Sequence, residues 1–196
     1  IILSGGPASV YGEGAPRVSA KIVECGLPVL GIFYGLQLLA HLFGGKVERA
    51  KEREYGPATV RVDSATGIFS RLAAGQTIDV WMSHGDRIEA LPAGFAPLGT
   101  SGNTPFCAVG DPARKIYGIQ FHPEVEHTKR GREILDAFLF DIAGFSPTWT
   151  PAELVDDAIA KVRSTVGSSR AILGLSGGVD SWVSAIICAR GLCDRL

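Results

Sequence analysis

The segment GIFYGLQ, residues 31–37, has the spacing of a nucleophile elbow. In an elbow, glycines two residues before and two residues after the central position allow a sharp turn from a strand into a helix, and the central side chain stands above the sheet. Gly31 and Gly35 satisfy that spacing, but the central residue is Phe33. A benzyl group has no lone pair and no acidic proton. The frame therefore predicts a nucleophilic site whose central residue cannot attack a carbonyl carbon.

A second candidate is His122-Pro123-Glu124. Residues two apart in an extended chain point the same way, so Glu124 can hold the tautomer of His122 and stabilise its charged form. The pair then acts as a general base and its orienting carboxylate. Two alternatives stay open: a metal site with His127 as third ligand, although that spacing matches no standard set, and a surface pair without a role.

A third candidate is Ser176-Gly177-Gly178-Val179-Asp180-Ser181. An apolar segment precedes it and a helix is predicted to follow it from about Ser181. Two glycines allow several N–H groups to surround one point, and a helix start adds partial positive charge, which suits a phosphate or pyrophosphate. The lysine of a Walker A loop is missing. An ordinary glycine-rich turn is the alternative.

The elements around these segments predict an α/β protein with a doubly wound, mostly parallel sheet. Continuous apolar strands beside an apolar helix at about 34–43 indicate a sheet covered on both faces. A helix with one apolar stripe is predicted over 134–142. The predicted strands are 1–3, 28–32, 58–62, 78–82, 106–109 and 116–121, the last two joined as a hairpin.

A boundary is predicted at residues 146–149. Thr150-Pro151-Ala152-Glu153 is a capping box with proline at the first helical position, so a helix follows. Ala171–Leu175 then predicts a buried strand that leads into residues 176–181. We therefore expect one domain over 1–145, a linker over 146–150, and the start of a second α/β domain over 151–196.

Composition excludes several classes of protein. The 196 residues are 46% hydrophobic with a formal net charge of -1, so nothing indicates a nucleic-acid or membrane partner. The four cysteines have no zinc-site spacing, which predicts reduced thiols that mostly serve packing in a cytoplasmic protein. The chain begins in a strand and ends in a predicted helix, so we expect a fragment of a longer protein.

The order of these motifs resembles that of the glutamine-hydrolysing GMP synthases. In that family a class I glutamine amidotransferase domain of flavodoxin-like fold precedes an ATP pyrophosphatase domain of the adenine nucleotide α-hydrolase type. The resemblance is carried by IILSGGP, GIFYGLQ, EREYG, WMSHGD, YGIQFHPEVEHT, TWTP and ILGLSGGVDS. It covers essentially the whole chain, and it implies that the first strand and helix of the amidotransferase domain lie outside this sequence.

The resemblance implies a catalytic site. A cysteine thiolate at the position of Phe33 would attack glutamine, His122 would deprotonate it, and Glu124 would orient His122. Backbone N–H groups near Gly6 and at Tyr34 would form the oxyanion hole.

The resemblance also implies substrate sites. Gln37 and the loop His84-Gly85-Asp86 would border the glutamine pocket or the interdomain face. Residues 176–181 would wrap the ATP phosphates, with Asp180 as a Mg²⁺ ligand. Full-length relatives would use ATP and Mg²⁺ as cofactors, convert XMP to GMP in purine biosynthesis, and form homodimers.

Phe33 departs from the family at the nucleophile, so we expect no glutaminase activity. Three accounts stay open: a chance variant or sequence error, since one base separates cysteine and phenylalanine codons; a synthetase that uses free ammonia; and a non-catalytic domain that binds or regulates a synthetase. Carbamoyl-phosphate and cytidine-nucleotide synthetases also carry such domains, but residues 176–181 argue against them.

Overall fold

The computed structural model describes residues 1–148 and 150–196, apart from the side chains of residues 51–53 and 84. It divides into two compact units, Ile1–Phe145 and Ser146–Leu196. The strands are β1 Ile2–Leu3, β2 Val29–Ile32, β3 Lys46–Val62, β4 Thr77–Ala90, β5 Ala96–Ser101, β6 Ala108–Asp111 and β7 Ile116–Ile119. The helices are α1 Lys21–Glu24, α2 Tyr34–Leu42, α3 Gly131–Asp136, α4 Pro151–Val166 and α5 Val179–Leu192.

These strands form one sheet in the order β1-β2-β7-β6-β5-β3-β4. The α/β class is confirmed, and the sheet is mixed rather than mostly parallel. Among the residues that the structure describes, parallel pairing is confined to β1 with β2 and β2 with β7. The connections explain this difference, because only a long crossover can return a chain to a parallel neighbour. Residues 112–115 join β6 to β7, and so short a connection suffices only for antiparallel neighbours.

The strands β3 and β4 form a long antiparallel ribbon, with register shifts near Lys46 and between Arg49 and Glu54. The sequence indicated only the ends of this ribbon, over 58–62 and 78–82. The expectation that residues 84–86 form a loop is wrong, because they lie in β4, where His84 pairs with Glu54 and Asp86 pairs with Arg49 across a register shift. Cross-strand hydrogen bonds over the whole ribbon outweigh the weak strand propensity of Gly85 and Asp86.

Both faces of the sheet are covered. Helix α2 packs on one face, where Leu36 lies so close to Gly118 that a Cβ there would approach Leu36 Cδ1 to 2.3 Å. The opposite face is covered by Ile134 and Phe138, from α3 and the π-helical turn Ala137–Ile142 that continues it, and by Phe69. All four residues of β2 are buried. The strand that leads into the elbow is therefore held rigidly from both sides.

In the second unit, α4 begins at the predicted capping box. The Thr150 N–H donates to Glu153 Oε2 at 2.5 Å, and the Glu153 N–H donates to Thr150 Oγ1 at 3.3 Å. Arg163 of α4 donates to the Gly191 carbonyl of α5 at 3.1 Å, which joins the two helices.

The predicted buried strand over 171–175 is wrong. The described residues 146–148 and 150–196 contain no strand, and Ile172 is fully exposed. A strand needs a neighbour to accept and donate its backbone hydrogen bonds. Within the described part of the chain, the backbone hydrogen bond of this segment runs from the Ala171 N–H to the Arg195 carbonyl, which is a single contact and not a strand ladder.

Candidate functional site

The elbow at Phe33 is formed as its spacing predicts. Phe33 lies between β2 and α2 with φ 53° and ψ -105°, a conformation that non-glycine residues rarely adopt. Its N–H donates to the Ile119 carbonyl of β7 at 2.7 Å, and its carbonyl accepts from the Leu36 N–H at 3.1 Å. The turn is thereby anchored to the sheet on one side and to the first turn of α2 on the other.

The two flanking glycines are required by close backbone contacts. A Cβ on Gly35 would lie 2.1 Å from the Leu3 carbonyl oxygen of β1, and a Cβ on Gly31 would lie 2.6 Å from the Gly35 carbonyl carbon. Both distances are far below van der Waals contact. The glycines therefore allow α2 to begin directly against the parallel strands. The turn between them is so tight that the side chain of the central residue projects away from the sheet.

The side chain of Phe33 lies against the candidate base. The rings of Phe33 and His122 are stacked, with centroids 5.4 Å apart and planes inclined by 26°. A Cβ built on Gly5 would lie 3.4 Å from both Phe33 Cβ and His122 Cε1, so the two residues share one small space. His122 Nδ1 is 2.7 Å from Glu124 Oε1. The structure thus brings together the elbow, the imidazole and its carboxylate.

His122 is held by strand β4 and by the segment that follows it. Its N–H donates to the Trp81 carbonyl at 3.1 Å, and Met82 forms an isolated bridge with Phe121. The hydroxyl of Thr128 accepts from the Trp81 N–H at 3.1 Å and donates to the His122 carbonyl at 2.5 Å. Sequence analysis did not single out Thr128, because its six-residue separation from His122 has no local structural meaning.

A cleft of about 750 Å³ opens in front of the elbow. It is lined by Gly6, Pro7, Ala8, Ser9, Tyr11, Phe33, Gln37, Arg49, Tyr55, Ser83, Gly85, Asp86 and His122. This volume lies within the range typical of small-molecule sites. Arg49 and Tyr11 were missed by sequence analysis, since they come from the ribbon and from a loop with no recognisable motif, and Tyr55 was included only within the segment EREYG, without a role of its own.

The residues expected around glutamine lie in or beside this cleft. Gln37 is buried, and its Nε2 donates to the Asp86 carbonyl at 3.1 Å, which ties α2 to β4. Gly6 faces Tyr34, with a built Cβ 4.0 Å from Tyr34 Cβ. Tyr34 is the first residue of α2, so its N–H has no intrahelical acceptor. The side chain of His84 lies outside the described residues.

The alternative metal site gains no support from the geometry. The His127 ring packs on Trp81, with ring centroids 4.6 Å apart. Within residues 1–148 and 150–196 as described, no three His, Cys, Asp or Glu side chains are grouped closely enough to hold a metal ion.

Neither cysteine of the first unit supplies a thiol at the elbow. Cys107 is buried and donates to the Gly99 carbonyl at 3.1 Å, and burial raises the pKa of its thiol well above the usual range, with the charge of Glu54 adding to the effect. Cys25 follows α1 and bonds to the Ile22 carbonyl at 3.0 Å. Cys25 and Cys193 are exposed, contrary to the expectation that the cysteines mostly serve packing.

The loop at residues 176–181 leads into α5, which begins at Val179 rather than at Ser181. Gly177 has φ 85°, a conformation that favours glycine, and Gly178 is the residue before the first helical turn. Ser181 Oγ donates to the Gly178 carbonyl at 2.7 Å. The first N–H groups of α5 have no intrahelical acceptors and the loop is exposed, so these donors fit an anionic phosphate chemically.

A family model for class-I glutamine amidotransferases matches residues 1–142. The chain belongs to the class-I glutamine amidotransferase family. A glutamine amidotransferase from Thermotoga maritima has the same fold, with a TM-score of 0.55 and 22% identity over 97% of this chain and 76% of that chain. Both comparisons agree with the α/β fold described above.

Two curated relatives match the chain from end to end. It is 53% identical to the glutamine-hydrolysing GMP synthase of Thermomicrobium roseum and 48% identical to that of Thermobifida fusca. The matches cover all of this chain but 36% and 37% of those proteins. This amidotransferase chain therefore spans a little over a third of the length of these relatives. None of the described helices is long and apolar enough to cross a membrane.

Proposed function

We propose that this chain is the amidotransferase part of a GMP synthase, together with the start of its ATP pyrophosphatase domain, and that it does not hydrolyse glutamine. The observation that carries the proposal is the stack of Phe33 on His122, with centroids 5.4 Å apart. The elbow and the base are in place, but Phe33 at the centre of the elbow has no nucleophilic atom. The proposal includes an amidotransferase domain over 1–145, a linker over 146–150 and the start of the ATP pyrophosphatase domain over 151–196.

Each remaining residue has a role in this proposal. With a thiol at position 33, His122 removes its proton, and Glu124 holds the tautomer through the 2.7 Å contact to Nδ1. The N–H groups near Gly6 and of Tyr34 stabilise the oxyanion that forms when the thiolate adds to the carboxamide carbon. Ammonia leaves with a proton from His122, and water then hydrolyses the thioester. With Phe33, no bond to substrate forms and the sequence of steps cannot begin.

The walls of the cleft bind the rest of glutamine in this proposal. Gln37 and Asp86 lie beside each other through the bond from Gln37 Nε2 to the Asp86 carbonyl, and His84 belongs to the same strand segment. The carboxylate of Asp86 suits the α-ammonium group of an amino acid.

The second unit supplies the nucleotide site in this proposal. Residues 176–181 would hold ATP phosphates through the N–H groups at the start of α5, and Asp180 would supply a carboxylate oxygen to Mg²⁺. In the full-length protein ATP activates XMP for attack by ammonia to give GMP, AMP and pyrophosphate. A cytoplasmic homodimer is part of the same proposal.

A second candidate function is a non-catalytic amidotransferase-like domain that binds or regulates a synthetase. It is favoured by the benzyl ring of Phe33, which packs against both large hydrophobic clusters of the first unit and so contributes to the fold. A GMP synthase that uses free ammonia is a further alternative, because such an enzyme needs no nucleophile at position 33.

The test is a glutaminase assay on this chain and on Phe33→Cys, with ammonia and glutamate as readouts. Loss of the nucleophile in such a site costs on the order of 10⁶ in rate, so this chain should release ammonia only at the background rate. Phe33→Cys should gain activity, and a Phe33→Cys/His122→Asn double variant should lose that gain. Incubation with an electrophilic glutamine analogue should label residue 33 in Phe33→Cys alone.

Turnover by the unaltered chain would end the claim that it cannot hydrolyse glutamine. If Phe33→Cys stays inactive and unlabelled although it folds, the catalytic reading of the elbow fails. Glutamine binding by the unaltered chain in isothermal titration would then favour the second candidate.

A further inference from the structure

The contact between Phe121-His122 and strand β4 departs from an ordinary antiparallel ladder at one hydrogen bond. Met82 and Phe121 face each other across an antiparallel bridge. In a regular ladder the next pair, Trp81 and His122, would exchange two backbone hydrogen bonds. Only one of the two is made directly, from the His122 N–H to the Trp81 carbonyl at 3.1 Å.

The hydroxyl of Thr128 occupies the place of the second hydrogen bond. It accepts from the Trp81 N–H at 3.1 Å and donates to the His122 carbonyl at 2.5 Å. One hydroxyl therefore satisfies both groups while it keeps them apart by the width of an oxygen atom. Thr128 is 4% exposed, so water cannot readily take over this role.

The same segment is fixed at two further points. The ring of His127 packs on Trp81 with centroids 4.6 Å apart, and a Cβ on Gly131 would lie 2.0 Å from the Pro123 carbonyl oxygen. These contacts leave Thr128 little freedom to move away from the gap. The separation between His122 and β4 is therefore set by the hydroxyl rather than by a flexible loop.

We propose that Thr128 is a positioning residue, whose inserted hydroxyl sets the distance of the His122 imidazole from strand β4. Ser83 and Asp86 of β4 line the same cleft as His122. Without the hydroxyl, one of two changes follows. Either the Trp81 N–H and the His122 carbonyl move together into a direct hydrogen bond, or both stay buried without partners. Either change moves the imidazole relative to the position-33 side chain and to the cleft wall. The positioning of His122 by Thr128 does not depend on the proposed function. Only the expected effect on glutamine hydrolysis rests on it.

Three substitutions separate the hydroxyl from the size of the side chain. Thr128→Ser keeps both hydrogen bonds. Thr128→Val keeps nearly the same volume but removes both bonds, so it leaves the Trp81 N–H and the His122 carbonyl without their partner. Ile134→Val removes a buried methylene group from α3, so it is a control for lost stability without loss of these bonds.

The first readout needs no activity and uses the chain with Phe33. Thr128→Val should speed hydrogen exchange of the Trp81 amide about tenfold. This is the factor by which the loss of one net hydrogen bond shifts the equilibrium between the closed and the open amide. It should also weaken the nuclear Overhauser contacts between the Phe33 and His122 rings. Thr128→Ser and Ile134→Val should leave both signals unchanged. Unchanged Trp81 exchange in Thr128→Val would overturn the proposal.

The second readout is glutamine hydrolysis in the Phe33→Cys background. A displaced base should lower kcat about 10- to 100-fold while KM changes little, because binding groups stay in place and only the reacting geometry is lost. Thr128→Ser should restore kcat, and Ile134→Val should leave it unchanged. If Thr128→Ser is as slow as Thr128→Val, the hydroxyl is not responsible. If Phe33→Cys itself is inactive, the proposed function fails while the exchange experiment still decides the role of Thr128.

Discussion

The conformation of Phe33 predicts that glycine is more stabilising than alanine at this position, the reverse of the usual order. At φ 53° and ψ -105° a residue with a Cβ carries strain on the order of 1–3 kcal/mol, which glycine does not. Glycine costs about 0.4–1 kcal/mol through the greater freedom of the unfolded chain. Phe33→Gly should therefore exceed Phe33→Ala in free energy of unfolding by about 1 kcal/mol. Both variants lose the stack on His122, so their difference isolates the backbone term.

Two other positions provide controls in the same unit. Lys115 has φ 56°, and Lys115→Gly should likewise be more stable than Lys115→Ala. Arg132 lies in α3 with an exposed side chain, and there glycine should be less stable than alanine by about 1 kcal/mol. The sign of the difference should thus follow the backbone conformation from site to site.

The assay is the urea dependence of hydrogen exchange at the amides of β2 and β7, which reports unfolding of the first unit alone. With a slope of about 2 kcal/mol per molar urea, a difference of about 1 kcal/mol moves the midpoint by about 0.5 M. If Phe33→Ala proves more stable than Phe33→Gly while Arg132 behaves as expected, the elbow is not strained and the argument is refuted.

Two further predictions concern packing and pH. Gly35→Ala should lower the free energy of unfolding by at least about 1–3 kcal/mol and disturb α2, because its Cβ would lie 2.1 Å from the Leu3 carbonyl oxygen. Gly102→Ala is the control: its Cβ would meet nothing within 4 Å, so it should be near neutral in the same unfolding assay. The raised pKa of buried Cys107 means that the unfolded state loses the thiol proton first, so stability should fall as pH rises above about 9, by about 1.4 kcal/mol at pH 10. Urea unfolding at pH 8 and pH 10 should show a clearly larger loss in the unaltered chain and in Cys25→Ala than in Cys107→Ala, where Tyr117, whose pKa is also raised by burial, still contributes. An equal loss in all three would contradict it.

Local sequence signals located the elements that carry the site. The spacing of Gly31 and Gly35 predicted the elbow because a strand-to-helix turn this tight leaves no room for a Cβ on either side. The capping box at Thr150 and Glu153 predicted the start of α4 because both hydrogen bonds are made within four residues. Such signals depend on near neighbours in the chain, so the sequence contains them in full.

Long-range pairing was beyond the reach of these signals. The ribbon of β3 and β4 extends through residues 84–86, which have weak strand propensity, because each strand supplies the hydrogen-bond partners of the other. The apolar run 171–175 has the composition of a buried strand but no neighbour to pair with among the described residues, and it forms none. Pattern alone cannot show whether a partner is present.

The sequence by itself determined the frame of this site: an elbow with an aromatic residue at its centre, a His-Glu pair after a strand, and a glycine-rich loop before a helix. Only the tertiary structure decided that the ring of Phe33 stacks on His122 and that Thr128 separates His122 from β4. The physical reason is distance along the chain. Turns and caps are fixed by residues within a few positions, whereas Phe33, Trp81 and His122 meet only after the sheet has set the register of β2, β4 and β7.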